Sequence, residues 1–374
     1  MSRHNIFANE MTRRDFLKQS AKGAAAVAGV AAGVSSLEVL LNGCATLETF
    51  TETREEVDAM LESHPAVPTV KGHCYTGWFE GLSGPVAAPI YLEGFRKYVG
   101  AAEVERAFGR YKKLYGKSPA VFSFSDRSII DEWFPDRICK AIHNEGATPL
   151  IRYYFYANFE KVAQGVYDHI LEEFSTRAKD YGDSLFLVPY PEVNIVGRLR
   201  NVHPWAGNSG KHFNKAYERI KKAVYKAGAD NVVLGVHYMG SGAGQPIRQF
   251  ELDDDLFNWV GFTVYNVVTS SWPSRPFTEI FGDSYRWARS RYKTKPIGLW
   301  EFGTTQHPGQ GKWLLKSFKT IKEHFPAIKL VVPAQYPIMS DDKGGSYGSL
   351  IIGEKAQPFY REAISDPYFI GAGT

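Results

Sequence analysis

The sequence is poor in cysteine, carries no marked excess of either charge, and has no long apolar run in its body. Only three cysteines, Cys44, Cys74 and Cys139, occur in 374 residues. None falls in a Cys-x-x-Cys pair and no histidines are spaced His-x-x-x-His, so the common zinc-ligand spacings are missing and no metal site is expected. The net charge is +4. Residues 1–43 hold five Lys/Arg and three Asp/Glu, leaving 39 basic against 37 acidic residues in the remainder. A body so close to neutral gives no reason to expect nucleic acid or anionic lipid as a partner. Beyond the N-terminus no segment is long and apolar enough to span a membrane. What is present is ordinary globular composition, 44% hydrophobic and 22% charged, which excludes a disordered chain, a collagen or a coiled coil. Aromatics reach 14%, with 8 Trp and 21 Tyr, enough for a core and for stacking surfaces as well. The length suits one large barrel or two modest domains.

The first 44 residues read as an address. Thr12-Arg13-Arg14-Asp15-Phe16-Leu17-Lys18 is followed by a mildly apolar Ala/Gly/Val stretch over 21–34. A basic start and a short apolar region make an export signal rather than a spanning helix. The paired arginines before Phe-Leu-Lys resemble the twin-arginine signal, so the export machinery of that route is an expected partner. Leu41-Asn42-Gly43-Cys44 resembles a lipobox, which makes Cys44 the expected lipidation site; plain cleavage nearby is the alternative. The reading is an exported, periplasmic or cell-envelope lipoprotein that meets the membrane only through its lipid. Residues 45–68, charged and proline-bearing, read as a tether with one helical stretch at 55–63. Cys74 and Cys139 form either a disulfide or two buried thiols.

From residue 69 a rhythm begins. Apolar runs at 69–75, 120–125, 148–154, 185–193, 231–237, 259–265, 296–302 and 329–336 are separated by stretches of helical period. Runs nearly continuous in Val, Ile, Leu and Phe suit parallel strands buried on both faces. Between them, Phe213, Tyr217, Ile220, Val224 and Ala227 recur at helical spacing with Gly228 just past the end, and Leu314, Phe318, Ile321 and Phe325 do likewise. Eight alternations over some 300 residues predict a (β/α)8 TIM barrel over 69–374, with a doubly wound sheet as the rival.

In such a barrel the site lies at the C-terminal ends of the strands. The residues there are Cys74 and Tyr75, Ser125 and Asp126, Arg152 and Tyr153, Glu192 and Asn194, His237 and Tyr238, Tyr265 and Asn266, Glu301, and Tyr336. Two carboxylates stand out, Glu192 on the fourth run and Glu301 on the seventh. Paired carboxylates across an aromatic cleft are the machinery of glycoside hydrolysis: one protonates the leaving oxygen, the other attacks the anomeric carbon or activates a water. Tyr265 reads either as a donor that holds Glu301 ionised or as a core phenol. Trp205, Trp272 and Trp300 lie near strand ends and could stack on sugar rings. With Arg152, Asn194, His237 and Tyr336 they complete the expected substrate contacts; His237 reads equally as a packing histidine. Three loops have blander readings. Gly240-Ser241-Gly242-Ala243-Gly244-Gln245 lacks the spacing of a nucleotide cradle, Asp253-Asp254-Asp255 reads as a solvated turn, and Asp341-Asp342-Lys343-Gly344-Gly345 as a cleft rim.

The order of segments from about residue 122 to 336 resembles glycoside hydrolase family 26, the β-mannanases and their relatives in the large retaining barrel clan. Gly165-Val166-Tyr167-Asp168-His169-Ile170 looks like the family's helix after strand three, and Gly228-Ala229-Asp230-Asn231-Val232-Val233 like its entry to strand five. Phe257-Asn258-Trp259-Val260-Gly261-Phe262-Thr263-Val264-Tyr265-Asn266 looks like its strand six, the most specific piece. The run from Lys295-Pro296 to Glu301-Phe302-Gly303 looks like its strand seven. Pro191-Glu192-Val193-Asn194, with Trp205-Ala206-Gly207 beyond, stands where the family has His-Glu-Met-Asn and a tryptophan. The resemblance implies Glu192 as acid/base, Glu301 as nucleophile and Tyr265 as the residue orienting it, in a double displacement through a glycosyl-enzyme intermediate on β-mannan or a related β-glycan. It departs from the family at Pro191, where the family has His, at Val188, where it has Arg, and at Trp205, which lies further from Glu192 than the family's tryptophan does. These departures keep a second reading open, a non-catalytic glycan-binding barrel lipoprotein. Twin-arginine cargoes often carry redox cofactors, but no cofactor motif is present and none is expected.

Overall fold

Eight parallel strands alternate with helices along the chain. The computed structural model describes residues 52–79, 101–126, 134–153, 158–195, 209–240, 246–336, 339–340 and 346–373. The strands are β1 (Cys74–Phe79), β2 (Val121–Asp126), β3 (Thr148–Tyr153), β4 (Leu185–Pro189), β5 (Val232–Met239), β6 (Trp259–Asn266), β7 (Ile297–Thr304) and β8 (Ile328–Pro333). Each pairs with its sequence neighbours, and β8 returns to pair with β1 at Tyr75–Leu330 and Thr76–Val331. That pairing closes the sheet into a (β/α)8 barrel and rules out the doubly wound alternative, whose sheet has two edges. A short hairpin, β9 (Met339–Ser340) and β10 (Ser346–Gly348), follows β8, and β11 (Phe369–Ile370) joins the N-terminal end of β1.

The helices are α1 (Arg54–Met60), α2 (Ala101–Tyr115), α3 (Asp136–Asn144), α4 (Phe159–Ala163), α5 (Asp168–Tyr181), α6 (Phe213–Ala227), α7 (Phe277–Arg291), α8 (Gln310–His324) and α9 (Gln357–Ser365). The expected stripe on α6 is the buried one, with Phe213, Tyr217, Ile220 and Val224 turned inward, and Gly228 ends it at φ 69°, a left-handed conformation that costs glycine nothing. Strand residues alternate between these helices and the barrel interior, which is filled by side chains such as Leu150, Phe186, Val233, Trp259, Trp300 and Leu330.

Three strands depart from the sequence expectation; β8 ends at Pro333, three residues short of Tyr336. β1 lies several residues later than 69–75, because Gly72 turns the chain at φ 71° before the strand begins. Cys74 and Tyr75 are therefore at its N-terminal end, and Phe79 takes the C-terminal position. β4 stops at Pro189, well short of Val193. Pro189 and Pro191 supply no N–H to a ladder, and Tyr190 and Glu192 both take φ 56°.

The expected tether is corrected over residues 52–68, which belong to the compact unit Glu52–Thr374. Thr53 caps α1 in a reciprocal capping box with Glu56, which fixes the start of the helix. Val57 and Val67 are buried, Val67 in the barrel's own core cluster. Three ion pairs pin the segment: Glu52 with Arg289, Glu62 with Lys295, and Asp58 with Lys329. Lys295 and Lys329 stand at the starts of β7 and β8, so the segment covers the N-terminal end of the barrel. The export signal and Cys44 lie outside the described residues.

Candidate active site

Glu301 sits in the C-terminal half of β7, 4% exposed. Simple alternation would send it outward, because Trp300 faces the barrel interior. The strand avoids this with an extra residue. Phe262 and Thr263 are consecutive on β6 but pair with Leu299 and Glu301, and a register shift on the β8 side falls between Leu299 and Phe302. This bulge turns both Trp300 and Glu301 inward and returns Phe302 to the helices, where its ring packs 5.3 Å from Trp313 and 5.7 Å from Phe318.

Several strands converge on the Glu301 carboxylate. Arg152 from β3 forms an ion pair with it, and the Tyr265 hydroxyl from β6 donates to its other oxygen. Arg152 is wholly buried, donates to Ser125 Oγ of β2 at 2.7 Å and to the Tyr336 hydroxyl beyond β8 at 3.2 Å, and lies 3.7 Å over the Phe79 ring of β1. The Phe79 and Tyr336 rings meet edge to face at 5.0 Å. A buried guanidinium requires a carboxylate and further acceptors to offset its desolvation, and this one has both. Such a neighbour favours the ionised carboxylate, the form a nucleophile needs.

Glu192 follows β4 in a turn and is nearly buried. Its left-handed backbone is held on both sides. The Tyr190 N–H donates to the Tyr153 carbonyl at 3.2 Å, the Val193 N–H to the His237 carbonyl at 2.9 Å, and the buried Tyr190 ring packs 5.0 Å from Phe159. Strain of this kind persists only where the surroundings over-determine it, and it gathers at functional sites.

The structure thus brings Arg152, Tyr265, Glu301 and Tyr336 together, and adds Phe79 and Ser125 to them. Phe79 was missed because β1 was placed too early. Three residues expected as sugar contacts take up packing or bracing positions. Trp300 is wholly buried in the barrel interior, where the indole occupies space left by glycines. His237, also wholly buried, shares a hydrogen bond of 2.9 Å with Thr263 Oγ1 and packs 5.4 Å from the Trp300 ring, the packing role of its two readings. Asn194 braces β5: its Oδ1 accepts from the Met239 N–H at 2.7 Å and its Nδ2 donates to the Met239 carbonyl at 3.3 Å. Trp272 is 47% exposed on the loop after β6, which Asn266 steadies through Ser274 and Arg275. Trp205 lies outside the described residues. Cys74 and Cys139 are buried thiols, not joined in a disulfide, and burial pushes the Cys74 thiol up to about 12.

No family model matches the sequence, and no curated protein matches it. Solved structures do share the fold. The catalytic domain of a Bacillus sp. JAMB-750 GH26 endo-β-1,4-mannanase superposes with a TM-score of 0.55 at 13% identity, covering 80% of this chain and 89% of that one. A Bacillus subtilis mannanase gives 0.53 at 12% identity, covering 88% and 95%. A ruminal GH26 endo-β-1,4-mannanase gives 0.51 at 16% identity; 80% of this chain is covered, but it spans only 64% of that longer one. At these identities the likeness establishes a shared barrel fold.

Proposed function

We propose that this chain is a retaining glycoside hydrolase acting on a β-linked polysaccharide, with Glu301 as nucleophile, Glu192 as acid/base and Tyr265 orienting Glu301. The observation that carries this reading is the Glu301 carboxylate, turned into the C-terminal end of the barrel by a bulge and held by Arg152 and Tyr265. A second carboxylate stands on the turn after β4 in a strained backbone. Mannanases of the same fold make β-1,4-mannan and glucomannan the first substrates to offer. Trp272 supplies an exposed stacking face at the rim. The N-terminal residues fit export by the twin-arginine route and lipid attachment at Cys44.

Purified protein incubated with mannan, glucomannan, xylan and mixed-linkage glucan is expected to release oligosaccharides, with the β-anomer appearing first by NMR. Early α-anomer would overturn retention. Replacing Glu301 with Gly should abolish hydrolysis and give an α-glycosyl azide when azide and an activated glycoside are supplied. Replacing Glu192 with Gly should give the β-azide. A second reading, a glycan-binding barrel without turnover, draws on the near-complete burial of Glu301 and on its ion pair with Arg152. It requires that wild type bind glycan without cleaving it and that Glu301→Gln leave binding unchanged.

A further inference from the structure

The barrel interior beneath Glu301 holds a feature that the proposed mechanism does not use. Gly261 on β6 and Gly298 on β7 are paired across adjacent strands, Gly235 on β5 lies two residues before the partner of Gly261, and the Trp300 indole packs against all three. A Cβ built at any of the three would overlap indole atoms: Cη2 from Gly235, Cε3 from Gly261, Nε1 from Gly298. The slot is therefore cut to the width of one flat ring. His237 closes one side, its ring 5.4 Å from the indole and inclined at 74°.

The slot lies on the residue next to Glu301, inside the bulge. A bulge contains a surplus residue whose side chain has to go somewhere. Here it goes inward, into space that any side chain on the three strands would have occupied. We infer that Trp300, seated in the glycine slot, is a positioning residue that pins the β7 bulge and thereby sets the Glu301 carboxylate against Arg152 and Tyr265. The inference concerns the carboxyl group that the proposed function makes the nucleophile, but it stands on packing alone. If the indole is displaced, the bulge loses its anchor, the strand reverts toward simple alternation, and Glu301 leaves its partners. Among the described residues, the charged and titratable groups around that carboxylate include Arg152 of β3, Tyr265 of β6, Tyr336 through Arg152, and His237 through Trp300, with the proposed acid/base Glu192 on the turn after β4. None of these is altered when Trp300 or Gly261 is changed.

The test reads Glu301 directly in the protein without substrate. With glutamate labelled at the side-chain carboxyl, the Glu301 signal is assigned by its loss in Glu301→Gln and then titrated by carbon NMR. In Trp300→Phe, which leaves a smaller ring in the same slot, the midpoint is expected to rise by roughly 1–3 pH units, the size of effect an adjacent opposite charge has on a carboxyl group. Gly261→Ala should do the same by crowding the indole. Combining it with Trp300→Phe should bring the midpoint back toward wild type, since the smaller ring makes room for the methyl. If both single variants lose thermal stability while the Glu301 midpoint stays where it was, Trp300 is core packing and the inference fails. Should Gly261→Ala not fold, Trp300→Phe decides alone. Because the titration needs no turnover, the inference survives if no glycan is cleaved. Where wild type does cleave, Trp300→Phe should lower kcat by on the order of 100-fold, as a misplacement of about 1 Å does.

Discussion

Glu192 occupies a backbone conformation that its side chain disfavours. At φ 56° an L-residue pays roughly 1–2 kcal/mol that glycine does not. Glu192→Gly should therefore be more stable than Glu192→Ala by about 1 kcal/mol in urea unfolding, although both lose the carboxylate. Equal stabilities would show that the left-handed turn is not populated in solution. The opposite balance holds at Glu301, where the carboxylate offsets a buried guanidinium. Glu301→Gln leaves that guanidinium facing a neutral amide and is expected to cost about 3–5 kcal/mol. Replacing the pair together, Glu301→Leu with Arg152→Met, should cost much less, because no charge is then left inside. A double-mutant cycle by chemical denaturation measures the difference; additive losses would mean that the two groups do not meet. Charge pairing and backbone strain thus act in opposite senses on the two carboxylates.

At the scale of elements, the sequence was legible wherever pattern and burial agree. β2, β3, β5, β6 and β7 were anticipated to within one or two residues because strands buried on both faces leave continuous apolar runs. β1 misled because the apolar stretch before Gly72 serves the barrel floor through Val67, not a strand. β4 misled because its apolar run continues past two prolines that end the ladder. The bulge in β7 has no signature in a single strand; it exists only in the register between three. For the same reason, position at a strand end located Arg152, Tyr265, Glu301 and Tyr336 but could not separate them from Trp300, His237 and Asn194, which pack inward or brace a neighbour. The α1 start was readable after all: Thr53 and Glu56 have capping-box spacing. Thr53→Ala should cost about 1 kcal/mol by thermal unfolding, and no change would mean that α1 is not held by its cap.

For the whole molecule the question is where the folded unit begins. The catalytic proposal concerns one end of the barrel; residues 52–68 close the other. Without them Lys329, 1% exposed, would lose Asp58, and Lys295 would lose Glu62. The interior would lose Val67 as well. Removing one partner from a buried ion pair such as Lys329–Asp58 costs roughly 3–5 kcal/mol, a large part of the 5–15 kcal/mol that holds a typical domain folded. A chain begun at Glu52 is therefore expected to keep the melting temperature of one begun at Ala45. A chain begun at Thr69 should melt far lower or fail to fold. The same docking should weaken in acid. The Glu62 carboxyl lies below its ordinary range: burial raises it, but the hydrogen bonds from Lys295 and Thr294 lower it more. A carboxyl depressed in this way contributes stability that is complete above the unfolded value of about 4.3 and fades as pH falls through the lower folded value. Glu62→Gln should then flatten the acid limb of stability against pH without moving it at pH 7 by more than a surface pair is worth, about 0–1 kcal/mol. If the chain begun at Thr69 melted like the longer ones, residues 52–68 would be a tether after all, and the ion pairs at the barrel floor would carry no stability.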